Sequence, residues 1–207
     1  MVNFSRLISS VFQPLFMPTF GVMLLFVYTS FGISHKHQFW QIVTPSFAFS
    51  FALPAILIAI LYRLKVVSDL ALTIRRERIY PYLITLASYS AMILFYSRME
   101  YLPKWFMMLM IAMVLIMGIA ILITLLWKIS AHMIGIGGLI GGAMSVSYFV
   151  EQTNPYFMFM GLFILAGLVG ASRLILKRHT FPQVIAGFFL GSVVSFLFVW
   201  IGVEVYY

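Results

Sequence analysis

Residues 172–183 read SRLILKRHTFPQ, and they stand between two apolar runs, Pro155–Gly170 and Val184–Val203. Each run comes close to the roughly 20 apolar residues that an α-helix needs to cross a bilayer. The pattern therefore predicts two membrane helices joined by a polar turn. That turn carries Arg173, Lys177, Arg178 and His179 and no acid. Cations gathered at the end of a membrane span are costly unless they meet water or an anionic ligand. Two readings follow: a positive loop that anchors the helix ends at the membrane surface, or a site for an anion.

The rest of the chain has the same character. Hydrophobic residues make up 63% of the 207 positions and charged residues 9%, with mean hydropathy +1.07. Such a composition excludes an ordinary soluble domain. Apolar stretches run over Val11–Ile33, Gln41–Tyr62, Pro81–Ser97, Trp105–Trp127, His132–Val150, from Pro155 onward, and over Gln183–Val203. The chain is read as an all-α integral membrane protein, a bundle of about six to seven transmembrane helices forming one domain over residues 1–207. Met1–Ser10 has one Arg and no small-residue cleavage pattern, so it does not read as a signal peptide.

Other features narrow the chemistry. No cysteine is present, which excludes a disulfide framework, a thiolate zinc site and a thiol nucleophile. His35 and His37 form a His-x-His pair without a neighbouring carboxylate, a poor basis for a metal site. The net charge of +8 sits at the ends of apolar runs. Anionic membrane lipids or a phosphate-bearing ligand are the natural partners, and nucleic acid is not. Glycines recur at four-residue spacing in Gly137–Gly141, Gly138–Gly142 and Gly187–Gly191. Small residues so spaced let helices approach closely, and they also permit a homo-oligomer without demanding one. Ionisable residues are nearly absent from the middle of the spans, which argues against an ion-coupled transporter.

With seven spans, the loops at 63–80, 128–131 and 174–182 are separated by two spans each and share one membrane face. Ten of the thirteen Lys and Arg lie on that face, among them Arg6, Arg63, Lys128 and Arg178; Lys36, Arg98 and Lys104 lie on the other.

Within the 172–183 stretch, Ser172 and Arg173 are followed by five residues, then His179, three more residues and Gln183. This order resembles the third signature of the type 2 phosphatidic acid phosphatase (PAP2) superfamily, in which the last position is Asp. The second signature, Pro-Ser-Gly-His, is similar to Ile129, Ser130, Ala131 and His132, with Ser and His retained. The first, Lys, six residues, Arg-Pro, has its nearest counterpart before Pro81. There Tyr80 precedes the proline, Thr73 stands at the Lys position, and Arg75, Arg76 and Arg78 lie close by. The resemblance covers the second half of the chain well and the 75–81 loop weakly. Taken alone, Ser130 and His132 also read as a helix cap and an interfacial His, and the arginines at 75–78 as a positive-inside cluster.

The resemblance implies a membrane phosphatase of a lipid phosphate or diphosphate, requiring no metal or other cofactor, in a bacterial inner membrane. Isoprenyl diphosphate, phosphatidate and phosphatidylglycerol phosphate are candidate substrates. His179 would be the nucleophile that forms a phosphohistidine, and His132 the general acid and then base. Arg173 with Arg75, Arg76 or Arg78 would bind phosphoryl oxygens, helped by Ser130 and Ser172. Gln183 would orient His179 without the charge of the family's Asp. The alternative on the same scaffold is a non-catalytic protein that binds a phosphate-bearing lipid or a partner protein. The positive-inside rule puts the basic face in the cytoplasm, whereas members of the family usually work on the opposite side.

Overall fold

The computed structural model describes residues 1–70 and 74–205, and every regular element among them is helical. Seven helical stretches are long and apolar enough to cross a membrane: Val2–Tyr28, Lys36–Arg63, Arg76–Tyr96, Lys104–Leu126, Ala131–Val150, Tyr156–Ile175 and Phe181–Glu204. The protein is a multi-pass helical membrane bundle. Exposed apolar side chains such as Ile56, Ile60, Phe157, Phe163 and Ile164 coat its outside. Exposed Tyr28, Trp40, Tyr148 and Tyr156 gather at one end, and Tyr62, Tyr80 and Trp127 at the other. Aromatic side chains at both ends are what two membrane–water interfaces favour.

The first span starts nine residues earlier than the apolar pattern suggests. Helix α1 (Val2–Val11) exposes Val2, Phe4, Leu7 and Val11 on one side and buries Ser5 and Ser9 on the other. Ser5 and Ser9 face inward at helical spacing while Asn3, Arg6 and Ser10 are exposed, so a search for unbroken apolar runs passes over this helix. Pro14 opens a 3₁₀ turn, Pro14–Phe16, and Pro18 lies in the first turn of α2 (Met17–Tyr28). A missing N–H is harmless at a helix start. A five-residue helix, α3 (Ser30–Ser34), follows.

The second span is interrupted as its prolines require. It runs as α4 (Phe39–Phe47), a π-helical turn over Ala48–Ala52, and α5 (Leu53–Arg63). Proline and the π turn leave carbonyls without their usual donors. Side chains of the third span, α6 (Ile79–Tyr96), supply replacements: Ser88 Oγ donates to the Phe49 carbonyl and Tyr96 OH to that of Ile42. This is how broken helices persist in a membrane.

Helices α7 (Lys104–Leu126), α8 (Ala131–Ser145), α9 (Tyr156–Ile175) and α10 (Phe181–Glu204) complete the bundle. The spaced glycines serve the contact of α8 with α10. A Cβ at Gly137 or Gly141 would collide with the Phe188 or Ser192 carbonyl, and one at Gly191 with the Ile134 carbonyl. Two backbones thus touch where side chains usually intervene.

Packing divides the bundle into two halves. Toward the face that carries Glu151, aromatic and sulfur side chains fill the interior, with Phe31, Ile42, Met92, Tyr96, Trp105 and Phe106 in one cluster. Toward the basic face two further clusters, one around Met133, Val169 and Val184 and one around Tyr82, Ile129 and Ile134, flank a hollow.

Candidate functional site

The hollow is a cavity of about 760 Å³ bounded by α1, α2, α5, α6, α7 and α8. At the basic face its wall carries Arg6, Arg78, His132, Arg173, Arg178 and His179, and no acid among the described residues lines it. The basic face also holds Asp69 and Glu77 against ten Lys and Arg, so it carries the whole formal net charge of +8.

His179 is held by local chain geometry. Helix α9 runs to Ile175, one turn further than the apolar pattern suggests, which makes Ser172 and Arg173 helical. The helix then closes on itself: Lys177 N–H donates to the Leu174 carbonyl and Arg178 N–H to that of Arg173, with Lys177 left-handed at φ 51°. This reversal is the Schellman arrangement, usually built with glycine. It returns Arg178 and His179 toward Arg173 within a few residues.

Thr180 caps α10, and Gln183 completes a capping box with it. Gln183 Oε1 accepts from Thr180 N–H at 3.2 Å and lies 3.1 Å from His179 Nδ1. An atom that accepts from a backbone N–H is an oxygen, so the facing ring nitrogen is the one bearing hydrogen. His179 Nε2 is then left with its lone pair. The ring is only 8% exposed. Burial and then the Arg78 guanidinium, with Arg173 and Lys128 adding to it, push its pKa down to about 3, against the opposing bond to Gln183. At neutral pH it is an uncharged imidazole.

Of the three arginines before Pro81, one reaches the cavity. Arg78 ends a 3₁₀ turn, Arg76–Arg78, is 5% exposed, and donates from Nη1 to the Ile129 carbonyl at 3.3 Å. Arg76 is exposed and Arg75 half-buried, and neither lines the cavity. Between them and Arg78, Glu77 accepts from the backbone N–H and hydroxyl of Ser68, fastening the connection from α5. Thr73 lies outside the described residues. Arg173 is 9% exposed, and its Nε has no hydrogen-bond partner. Lys128 is held below the usual lysine value by burial and by Arg78, Arg178 and Arg173, with Asp69 opposing.

Ser130 occupies the N-cap position of α8, yet its hydroxyl makes no cap hydrogen bond. Its Oγ is fully buried and without a partner. Ser130 and Ser172 are both buried beside the cavity and do not line it. His132, one residue into α8, lies 3.0 Å through Nε2 from the Ser9 carbonyl. A carbonyl only accepts, so Nε2 carries hydrogen and Nδ1 is the free nitrogen.

Helix α1 brings Arg6, Ser9 and Ser10 to the cavity wall, and none of these is suggested by the signatures. Arg178 stands in the basic stretch and is legible as part of it; Arg6 has no such signal. Among the described residues, no group of three His, Asp or Glu could hold a metal ion. Comparison with protein-family models, with curated proteins and with solved structures gives no match.

Proposed function

We propose that the protein is a divergent PAP2-type membrane phosphatase that hydrolyses a lipid phosphate or diphosphate through a phosphohistidine. One observation carries this reading. A buried, neutral His179, with Nδ1–H donated to Gln183 and Nε2 free, shares a cavity wall with Arg78 and Arg173 and with no acid. The buried Arg173 guanidinium, whose Nε has no hydrogen-bond partner, favours an anion, and forked guanidinium donors match phosphoryl oxygens.

In this reading His179 Nε2 attacks phosphorus while Arg78 and Arg173 hold the equatorial oxygens. His132 Nδ1, unprotonated at rest, takes the proton carried by the substrate's phosphate monoanion and passes it to the leaving oxygen. It then takes one from the water that cleaves the phosphohistidine and passes it to the departing inorganic phosphate, which restores both rings. Its Nε2–H stays on Ser9, so a single nitrogen handles the proton. The site lies at headgroup depth with hydrocarbon below, as a lipid phosphate requires.

Gln183 favours a second reading, a lipid-phosphate binder without turnover. A neutral amide fixes the tautomer of His179 but does not stabilise a cationic ring. Phosphate release by the detergent-purified protein, without added metal, from isoprenyl diphosphate, phosphatidate and phosphatidylglycerol phosphate separates the two. Turnover on one lipid that disappears in His179→Ala, and falls about 10²- to 10⁴-fold in His132→Ala, is the result expected of the phosphatase. Retention of turnover in His179→Ala would overturn it.

A further inference from the structure

Below the arginines the cavity continues between α2, α6, α7 and α8 to a floor made by Val22, Tyr89, Met110 and Ala143. From His132 to Ala143 on α8, and from Arg78 to Tyr89 on α6, the chain advances eleven residues, a rise of about 16 Å. That is close to half of the roughly 30 Å hydrocarbon core, the depth of one leaflet. The intervening wall is mostly apolar, with Pro81, Ile116, Met117, Ile134 and Leu139, and Tyr82 and Thr85 are its polar members. The cavity of about 760 Å³ is open on one side and polar at its mouth, and its deeper part is mostly apolar. The apolar lower walls offer water few hydrogen bonds and suit a hydrocarbon chain.

We infer that one hydrocarbon chain of a phosphate-bearing lipid occupies this cavity, head on the arginines and tail toward Tyr89, and that the floor limits its length. The identity of the head group rests on the phosphatase reading; the chain slot rests on shape and wall chemistry. Charge complementarity selects the occupant: the buried Arg173 at the mouth has an Nε without a hydrogen-bond partner, and a hydrocarbon filler without an anionic head would leave it so. Ala59 of α5 both lines the cavity and is exposed on the bundle's outer surface. The α5 side is therefore where the slot meets surrounding lipid. Ala143 and Met110 determine specificity at the far end.

The test measures binding of butyl, octyl, dodecyl and hexadecyl phosphonates, which cannot be hydrolysed, to the full-length protein in one detergent. Phosphate release from the matching alkyl phosphates is followed in parallel. Wild type should gain affinity from butyl to dodecyl and gain nothing further with hexadecyl. Ala143→Leu raises the floor and should weaken dodecyl phosphonate by at least about tenfold, the equivalent of two excluded methylenes, while octyl phosphonate changes less than about twofold. Met110→Ala lowers the floor and should strengthen hexadecyl phosphonate. Comparing variants with the same ligand cancels its partition into micelles, and the wild-type series stands even where a variant does not fold. Dodecyltrimethylammonium should not compete with dodecyl phosphonate; equal competition would overturn the anionic head. Affinity or turnover independent of chain length would overturn the slot while leaving a phosphatase intact. Length-dependent binding without any phosphate release would retain the slot and reject the phosphatase.

Discussion

At the scale of the residue, the arrangement around His179 makes two predictions. Replacing Gln183 with Asp places a carboxylate against Nδ1–H, which favours the imidazolium and raises the His179 pKa from about 3. In the phosphatase reading, the wild-type protein should therefore keep its activity as pH falls through the usual histidine range near 6.5, with respect to this group. Gln183→Asp should lose activity at a higher pH than wild type. A pH–rate profile of kcat/KM checks it, and unchanged acid limbs would contradict the Nδ1–H tautomer. The same shift bears on stability. The folded protein keeps His179 neutral, whereas the unfolded chain binds a proton near pH 6.5. Stability is thus fully present above that pH and is lost progressively as pH falls toward 3. His179→Gln should flatten the decline of Tm measured between about pH 6.5 and 4.

The three arginines allow a second comparison at this scale. Arg78 is buried on the cavity wall and Arg76 is exposed away from it. Arg78→Ala should reduce phosphate release by about a hundredfold or more, on the scale of removing one oxyanion donor, and Arg76→Ala by less than about twofold. Equal effects would mean that the loop acts as a diffuse charge. The sequence shows three arginines near Pro81 and gives no means of choosing among them. The choice depends on the 3₁₀ turn and on the Ile129 carbonyl that receives Arg78, a contact across 51 residues of chain.

At the scale of the element, the contact of α8 with α10 positions the site, because His132 opens one helix and Gln183 the other. Gly141→Ala would drive a methyl into the Ser192 carbonyl. It should lower stability by about 1–3 kcal/mol, the range for overpacking, and reduce activity with it. At Gly161, on α9, an added Cβ would meet nothing within 4 Å. Gly161→Ala should be neutral or stabilising by up to about 1 kcal/mol. Thermal unfolding of both variants in the same detergent decides the matter. The four-residue glycine spacing is plain in the sequence, but the partner is not, since the same spacing suits a neighbouring helix or a second copy.

At the scale of the whole molecule, seven spans place residues 64–70, 74–75, 127–130 and 176–180 on one face. The chain has no cysteine, so single cysteines report topology without background. Ser68→Cys and Lys177→Cys should label from the same side with a membrane-impermeant maleimide, and Ser34→Cys only from the other. Labelling of Ser68→Cys and Lys177→Cys from opposite sides would break the shared site.

Composition and hydrophobic run length alone determined that this chain lies in a membrane, crosses it about seven times and concentrates its charge on one face. Those properties are local or additive along the chain, so a sequence contains them in full. The basic order from Ser172 to Gln183 was equally legible, down to a polar residue one helical turn after His179. Tertiary structure decided the rest: that Arg78 rather than Arg75 or Arg76 enters the cavity, that Ser9 of α1 holds His132, and that a cavity opens beneath the basic face. Each depends on which helix faces meet. That is fixed by side-chain volume and backbone approach summed over the whole bundle, which no single stretch of sequence carries.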